Sequence, residues 1–221
     1  NQYAKLKNNP LDWINNSGTL ANGFDILSSE NLNTFNLNDD LNSISEKFNT
    51  GGNKSPFENS GLIINSKIVT QKVLPYFEGK KLCLRDVLEK NVDDSFLIPE
   101  VNIDRWQYAK GGKQEKRVTK DGYEYKFSEG AMAFPDDINK PSRTIITSEG
   151  GNTPSRTKHV VQSKKGLRRL TPLELERLNG FPDNHTKLEG ITDNKRAFFM
   201  GNALVVGIVQ IIGKEITEYE I

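Results

Sequence analysis

The stretch RRLTPLELERLNGFPD, residues 168–183, is followed a few residues later by RAFFMGNALVVGIVQIIGKEI, residues 196–216. The first stretch predicts a short helix, because Thr171 can cap it, Pro172 suits its first turn, and Gly180 with Pro182 ends it. The second predicts a helix that is apolar on more than one face from 204 to 212, either a wall that another domain covers or a buried helix of the chain's own core. Its apolar residues are Leu204, Val205, Ile208, Ile211, Ile212 and Ile216.

The composition excludes several classes of protein. The chain has 221 residues, a net charge of +1 and 35% hydrophobic residues, which is enough for a core if the loops are long. A single cysteine excludes an internal disulfide, and with only two histidines, His159 and His185, a cysteine-rich zinc site is excluded too, so we expect no metal. No apolar run approaches the roughly 18 residues of a membrane span, and the opening NQYAKLKNNP lacks an apolar signal core. We therefore expect a cytoplasmic protein with no membrane partner.

Positive charge is concentrated in the middle of the chain. Between Ile103 and Leu170 the sequence holds fifteen Lys and Arg residues against eight Asp and Glu residues. A basic region inside a neutral chain is expected when one face of the protein meets phosphate. A solvated surface that happens to be basic gives the same count, so charge alone leaves both interpretations open.

Local patterns divide the chain into three parts. Residues 1–48 are asparagine-rich and predict a loop-rich connecting segment that wraps a neighbouring surface, with enough apolar residues to be ordered. Residues 49–166 predict a compact mixed domain built around loops. Within it, LIINSKIVTQKV predicts a hairpin through Asn65 and Ser66, LCLRDVLEK predicts a helix and RTIIT predicts a short strand. Residues 167–221 hold the two helical stretches quoted above.

Aromatic and cationic residues alternate from Arg105 to Lys126, a mixture that suits nucleic acid. Cations neutralise phosphates, aromatic faces stack on bases or pack against sugar, and Arg can contact guanine in the major groove. Three loops that carry Arg117, Arg143 and Arg156 among glycines and prolines favour DNA readout, because such loops project side chains from a rigid sheet. Alternatively, the aromatics are core residues and the cations form a solvated rim.

Signals for other chemistry are weak. Asp183, Asp193 and Lys195 fit the loose acidic, acidic, lysine pattern of metal-dependent nucleases, but the residues around Asp183 are already explained as a helix stop. No Ser-His-Asp constellation and no phosphate-cradling loop is evident. Cys83 lies between leucines, which favours a small buried apolar residue over an activated thiolate.

The two quoted stretches and the basic middle resemble one enzyme family. RRLTPLELERLNGFPD closely resembles the ninth conserved motif of the cytosine-5 DNA methyltransferases, and RAFFMGNALVVGIVQIIGKEI resembles the tenth. Thr144 and Ile145, in PSRTIITSEGGNTPSRTKHVV, look like the Thr-plus-aliphatic pair of the family's target recognition domain. The section from RWQYAKGG to FPDDINKPSRTIIT looks like the recognition domains of bacterial restriction-modification methyltransferases.

The resemblance implies an α+β fold with two components. Residues 49–166 would be a small, loop-rich, mixed target recognition domain. The helices within 167–221 would pack on the catalytic domain and complete an α/β S-adenosylmethionine-dependent methyltransferase domain.

Motifs that the family's catalytic half needs are missing from the sequence. These are a Phe-x-Gly-x-Gly turn for the cofactor, a Pro-Cys pair with the nucleophile, a Glu-Asn-Val and a Gln-Arg-x-Arg pattern. Glu58-Asn59 is followed by Ser60, and Cys83 is preceded by Leu82. The resemblance therefore implies a recognition part with no catalytic residue of its own. Its partners would be double-stranded DNA and a catalytic half or subunit, and that half would bind most of the S-adenosyl-L-methionine.

The resemblance also implies roles for individual residues in an enzyme that flips its target cytosine out of the duplex. Thr144 and Ile145 would approach the displaced base, and Arg169 and Thr171 would organise the recognition domain. Base or phosphate contacts are expected from Lys110, Lys113, Arg117, Arg143, Thr144, Ile145, Arg156 and Lys158. The edge of the cofactor pocket would be formed by Gly201, Asn202 and Ala203.

Two features of the function stay open at this point. The arginines favour a GC-containing recognition site, because Arg is suited to guanine. The alternatives to a methyltransferase are a non-catalytic DNA-binding module and, more distantly, the metal-dependent nuclease.

Overall fold

The computed structural model describes residues 25–47, 58–76 and 81–218. Predictions that concern residues 1–24, 48–57, 77–80 and 219–221 lie outside the described residues. The chain divides into two compact units, one of Asn1–Lys80 with Ile208–Ile221 and the other of Lys81–Gly207. Helices and strands are mixed along the chain, in agreement with an α+β class.

The first unit contains a three-stranded antiparallel sheet. Strand β1, Asp25–Asn36, pairs with β3, Lys67–Tyr76, and β3 pairs on its other side with β2, Ser60–Ile64. A short helix, α1, covers Leu41–Lys47. The segment 1–48 is expected to be loop-rich, yet its described part contains a strand of 12 residues. Pairing with β3 satisfies the backbone of this asparagine-rich strand, so composition does not decide its conformation.

The turn between β2 and β3 confirms the predicted hairpin. Asn65 and Ser66 both adopt positive φ angles, 47° and 60°, as a two-residue hairpin turn of the primed type requires. The side chain of Asn59 extends the pairing, because its amide bonds both the N–H and the carbonyl of Val73, at 2.8 and 2.6 Å. The Asn59 side chain therefore satisfies backbone groups of strand β3.

The second unit is built from short elements. Three 3-10 turns, Leu84–Asp86, Asp94–Phe96 and Glu100–Asn102, lead into helix α2, Ile103–Lys110. Two antiparallel hairpins follow, β4–β5 with strands Lys113–Val118 and Glu124–Glu129, and β6–β7 with strands Val160–Ser163 and Gly166–Arg169. The helices are α3, Pro172–Leu178, α4, Asp193–Asn202, and α5, Val206–Glu218, which continues into the first unit.

Two small apolar clusters form the core of the second unit. The larger joins the first 3-10 turn, strand β6 and helices α3 and α4 through Leu84, Val87, Val161, Leu170, Leu175, Ala197 and Met200. The smaller consists of Ile98, Trp106 and Val160. Phe134, Ile138 and Ile145 pack against these clusters and so hold the long segment between β5 and β6, residues 130–159, which contains no described helix or strand.

Helix α3 confirms the prediction made from its sequence. The Thr171 hydroxyl accepts a hydrogen bond from the Glu174 N–H at 3.2 Å, and the Glu174 carboxylate accepts one from the Thr171 N–H at 2.9 Å. This reciprocal capping box begins the helix, with Pro172 in its first turn. Gly180 follows the helix with a φ of +78°, a conformation that glycine adopts without strain.

Two predicted elements of the second unit are wrong. LCLRDVLEK forms only the 3-10 turn Leu84–Asp86, because the Glu89 N–H, which would bond the Arg85 carbonyl in a helix, donates to the Glu174 carboxylate at 2.8 Å instead. RTIIT, residues 143–147, is irregular and no described strand pairs with it. Helix α4 packs against the backbone of this segment instead, as described below.

One described segment, Asp193–Lys214, is long and apolar enough by composition to cross a membrane. This differs from the expectation that no apolar run reaches the length of a membrane span. The segment is not one continuous helix, since the chain leaves helical structure at residues 203–205 between α4 and α5. The N–H of Val206 bonds the carbonyl of Asn179 at 2.8 Å, and Ala203 packs against the larger core cluster. These contacts belong to a folded domain, so the composition alone is weak support for a membrane span.

Candidate nucleic-acid interface

An ion pair between the half-buried Arg143 and the buried Asp136 shapes the basic loop between β5 and β6. The guanidinium of Arg143 donates to both carboxylate oxygens of Asp136, at 2.8 and 3.1 Å, and also to the carbonyls of Thr157 and Lys158, at 2.7 and 3.2 Å. The Asp136 carboxylate also accepts from the Val160 N–H at 2.8 Å. Burial would raise the pKa of Asp136, but the hydrogen bonds from Arg143 and Val160 outweigh burial and hold this pKa below its ordinary value.

Two predicted DNA contacts, Lys110 and Lys158, lie inside the protein. The Lys110 ammonium donates to the carbonyls of Arg156 and Lys158, at 3.3 and 2.5 Å, and the Lys158 ammonium donates to those of Gly151 and Thr153, at 3.0 and 2.8 Å. Burial lowers the pKa of both side chains, that of Lys110 to about 8. In this structure both ammonium groups hold loop carbonyls.

A Ser-His-Glu arrangement that sequence reasoning missed lies beneath the same loop. His159 Nε2 is 3.1 Å from the Ser142 hydroxyl, His159 Nδ1 is 2.8 Å from Glu149, and the His159 N–H donates to the same carboxylate at 3.0 Å. Both His159 and Glu149 are fully buried, and the Ser142 hydroxyl donates to the Arg143 carbonyl at 2.8 Å. A serine engaged in this way beside a buried histidine is suited to holding the loop, not to attacking a substrate. The signal was missed because the three residues share no periodic spacing.

The β4–β5 hairpin carries two further predicted contacts, Lys113 and Arg117. The Lys113 ammonium lies over the Tyr108 ring, 4.6 Å from its centroid, and the Arg117 guanidinium lies over the Phe127 ring at 3.6 Å. Arg117 also pairs with Glu115 at 3.0 Å, and this hydrogen bond raises its pKa. Both cations are therefore already engaged, although the hairpin projects into solvent.

Arg156 lies at the base of the hairpin. It donates to the carbonyl of Gly130 and to that of Gly111, at 3.4 Å in the latter case, and its Nε is 3.7 Å from the Glu129 carboxylate. One guanidinium thus bridges the residues that enter and leave the two strands. Its position indicates that it orients the hairpin.

Thr144 and Ile145 lie on the irregular segment that helix α4 supports. Thr144 is exposed, whereas Ile145 is half-buried against the larger core cluster. A Cβ atom at Gly201 of α4 would come within 2.4 Å of the Thr147 backbone and 2.5 Å of the Ile146 carbonyl carbon. Only glycine permits this approach, which fixes the backbone next to Thr144.

The residues assigned to the ninth motif bring distant loops together. Arg169 donates to the carbonyls of Gly150 and Ser95, at 2.7 and 2.8 Å, and burial lowers its pKa. The Thr171 hydroxyl donates to the Glu89 carboxylate. Arg169 thus makes the type of contact expected of a guanidinium that organises loops.

A second buried pair in this region was not predicted. The Arg168 guanidinium makes a bidentate contact with the Glu174 carboxylate, at 2.8 and 2.7 Å, and so ties strand β7 to helix α3. The Glu174 carboxylate also accepts from the Glu89 N–H at 2.8 Å. No spacing rule signals such a pair, since Arg168 and Glu174 lie on different elements.

Gly201, Asn202 and Ala203, the residues expected at the cofactor pocket, line neither the cleft beside Arg169 nor the one beside Arg168 in the described part of the chain. Gly201 lies against the backbone of Ile146 and Thr147, and Ala203 packs on the core. The exposed Asn202 amide donates to the Phe198 carbonyl at 3.0 Å. A cleft of about 190 Å³ beside Arg169 is lined by Asp193 and Asn194 of α4 but by none of these three. These three residues by themselves therefore do not provide a site for S-adenosylmethionine.

The acidic residues of the possible nuclease pattern are occupied by arginines. Asp183 accepts two hydrogen bonds from Arg177, at 2.7 and 2.6 Å, and Asp193 lies 3.3 Å from Arg196. Within the described ranges no group of three or more His, Cys, Asp and Glu side chains is arranged to hold a metal ion. This geometry offers no support for a hydrolytic metal centre.

Comparison with known proteins shows the family. The family model described as C-5 cytosine-specific DNA methylase matches residues 12–218. The type II methyltransferase M.Sau3AI of Staphylococcus aureus is 40% identical over 223 residues, which cover 99% of this chain and 52% of that protein. The chain thus spans about half the length of this relative.

Two solved structures are more distantly similar. The Entamoeba histolytica methyltransferase EhMeth is 18% identical, with 69% of this chain and 47% of that chain covered and a TM-score of 0.42. The S. pombe Dnmt2 methyltransferase is 16% identical, with 69% and 50% covered and a TM-score of 0.45. The family match over residues 12–218 shows that the chain belongs to the C-5 cytosine-specific DNA methylases.

Proposed function

We propose that this chain is the DNA-recognition part of a cytosine-5 DNA methyltransferase and that a separate catalytic part supplies the nucleophile. The observation that carries the proposal is the position of Cys83, the one cysteine of the chain. It follows Leu82, its N–H donates to Asp86 at 2.8 Å to close the first 3-10 turn, and its sulfur lies 4.0 Å from the Lys81 carbonyl. Cys83 thus has a local structural contact and lacks the Pro-Cys setting of the family's nucleophile.

The last helix supports the presence of a second part. Ile208, Val209, Ile212 and Ile216 of α5 are each between 43% and 56% exposed. A helix with this much exposed apolar surface is favoured when another surface covers it. The chain matches 52% of the relative, and we assign the catalytic part to the portion that it does not match. We propose that α5 packs on that part and completes its α/β domain.

The division of labour follows from what the described side chains can do. The β4–β5 hairpin and the segment around Thr144 reach solvent and would contact the duplex. The inward-facing cations Lys110, Arg143 and Lys158 would hold the loops in the shape that DNA meets, with Arg156 orienting the hairpin. A preformed surface of this kind positions the duplex so that a flipped cytosine reaches the catalytic part in register.

The remaining components of the reaction lie on the other part. The family uses S-adenosylmethionine, which supplies the methyl group when it is bound, and we assign most of its binding site to the catalytic part. Gly201 and the exposed Asn202 would lie beside that site. We further propose a type II restriction-modification role in the cytoplasm, a recognition site that contains G and C, and no metal requirement.

Transfer of labelled methyl groups to a panel of DNA duplexes tests this proposal. The chain should be silent alone and active when it is mixed with the catalytic part of a close relative, and the sequence that becomes methylated should change when residues 81–170 are exchanged for those of a relative with another site. Salt-sensitive DNA binding without activity in any mixture would favour a non-catalytic DNA-binding module.

A further inference from the structure

The register of the β4–β5 hairpin gives it two chemically different faces. Side chains alternate along each strand, and directly paired residues share a face. Pairing of Arg117 with Tyr125 and of Lys116 with Lys126 therefore separates the strands into two sets. One face, here called the aromatic face, carries Lys113, Glu115, Arg117, Tyr125, Phe127 and Glu129. The other, here called the lysine face, carries Gln114, Lys116, Val118, Glu124, Lys126 and Ser128.

The charges of the aromatic face are satisfied within the protein. Arg117 pairs with Glu115 and stacks on Phe127, while Lys113 lies over Tyr108. Glu129, on the same face, is 3.7 Å from Arg156. Phosphate would have to compete with these partners for each cation.

The lysine face has the opposite character. All of its residues are exposed, and Lys116 lies directly opposite Lys126 in the ladder. Neither lysine has a hydrogen-bond or ion-pair partner among the residues that the structure describes, even though Glu124 is on the same face. Like charges in directly opposed positions destabilise a strand pair, so this arrangement is unfavourable unless an anion lies against it.

The hairpin is also held in a fixed direction. A two-stranded ribbon is only marginally stable alone, but the contacts of Arg156 to Gly111, Glu129 and Gly130 join its two ends to the body of the unit. The Met132 N–H donates to the Lys110 carbonyl at 2.8 Å, which adds a backbone contact at the same end. A ribbon of this width fits the major groove of duplex DNA.

We propose that the lysine face of the β4–β5 hairpin is the side that lies against duplex DNA, with Lys116 and Lys126 on neighbouring backbone phosphates. Gln114 and Ser128 flank the two lysines and supply neutral hydrogen-bonding groups there. The occupant is DNA because a phosphate backbone offers closely spaced anions to both lysines, and because the chain belongs to a family of DNA methylases. The inference rests on the proposed DNA-recognition function.

The test is the salt dependence of binding to a fluorescent duplex of mixed sequence, measured by anisotropy with the full 221-residue chain. Each phosphate contact contributes about 0.9 to the slope of log K against log salt. The double variant Lys116→Gln with Lys126→Gln should therefore make this negative slope shallower by about two. Lys116→Arg with Lys126→Arg, which keeps both charges, should retain it.

Two matched doubles remove the same charge from other places. Lys113→Gln with Arg117→Gln changes the aromatic face, and Lys140→Gln with Lys165→Gln changes two exposed cations outside the hairpin. The aromatic-face double should change the slope less than the lysine-face double does, and the double outside the hairpin should keep the wild-type slope. Equal slopes for wild type and the lysine-face double, or a larger loss from the aromatic-face double, would overturn the inference while leaving DNA recognition intact. Absence of salt-sensitive binding by the wild-type chain would overturn both.

Discussion

The guanidinium of Arg196 donates to the carboxylate of Glu176 at 3.0 Å, and both side chains are buried. Glu176 belongs to helix α3 and Arg196 to helix α4, so the pair joins the two stretches that define the family. The Thr186 hydroxyl and N–H, from the loop between the helices, donate to the same carboxylate oxygen, the N–H at 3.0 Å. Helices α3 and α4 and the loop between them are thus joined by one buried polar network.

Removing only one member of this pair should be costly. Arg196→Met leaves the Glu176 carboxylate buried without its partner charge, and we expect a loss of about 3 kcal/mol in the free energy of unfolding. The double variant Arg196→Met with Glu176→Leu removes both charges and should recover part of that loss. Urea unfolding of the three proteins measures it, and a double variant less stable than Arg196→Met would contradict the explanation.

Gly201 should not tolerate a side chain. In Gly201→Ala the new methyl group meets the Ile146 and Thr147 backbone, which cannot rotate away, so we expect a loss of about 1–3 kcal/mol and weaker DNA binding through the displaced Thr144 segment. Gly213→Ala is the matched control, because a Cβ there meets nothing within 4 Å and alanine favours a helix. Thermal unfolding should lower the melting temperature of the first variant and leave or raise that of the second.

Asp136 should make stability depend on acid. Its folded-state pKa lies below the ordinary value of 3.8, so the unfolded chain takes up the proton first as the pH falls. The stability that the ionised Asp136 contributes is fully present above the ordinary pKa of 3.8 and is lost as the pH falls through the folded-state pKa. The stability difference between wild type and Asp136→Asn should therefore shrink on acidification from about pH 6 to about pH 3. A constant difference in urea unfolding would disprove the role of this ion pair.

Lys110 should act in the opposite pH range. Burial lowers its pKa from 10.5 to about 8, so between these values the unfolded chain holds a proton that the folded chain has released. Stability from this group then rises with pH, while the neutral amine still donates to the loop carbonyls. Lys110→Met lacks both effects, and the stability gap to wild type should widen between about pH 7.5 and about pH 9.5. A gap that stays constant over this range would place the amine in solvent.

Helix α3 and the turn between β2 and β3 could be predicted from the sequence, because each depends on residues that are close together in the chain. Thr171 and Gly180 delimit α3, and Asn65 with Ser66 makes its turn, because caps and tight turns are decided within a few residues. The contacts of Arg143 with Asp136, Thr157 and Lys158 could not be predicted in this way, since these partners lie up to fifteen positions away.

The same limit applies to the candidate DNA contacts. Lys110 and Lys116 look alike in the sequence, yet one is fully buried and the other is exposed. Burial distinguishes these two lysines, and the register of the hairpin separates Lys116 from Lys113 and Arg117 on the other face. The RTIIT strand was wrong for a related reason, because β-branched residues favour a strand only when a partner strand is available.

Methyl transfer by this chain carrying Cys83→Ser tests most directly whether the catalytic thiolate lies outside this chain. It is measured with and without a catalytic part from a relative that has the Pro-Cys motif. We expect no transfer by the wild-type chain alone. In the mixture we expect the same rate for wild type and Cys83→Ser, because the thiolate comes from the other part. Transfer by the wild-type chain alone that Cys83→Ser abolishes would contradict it and make Cys83 the nucleophile.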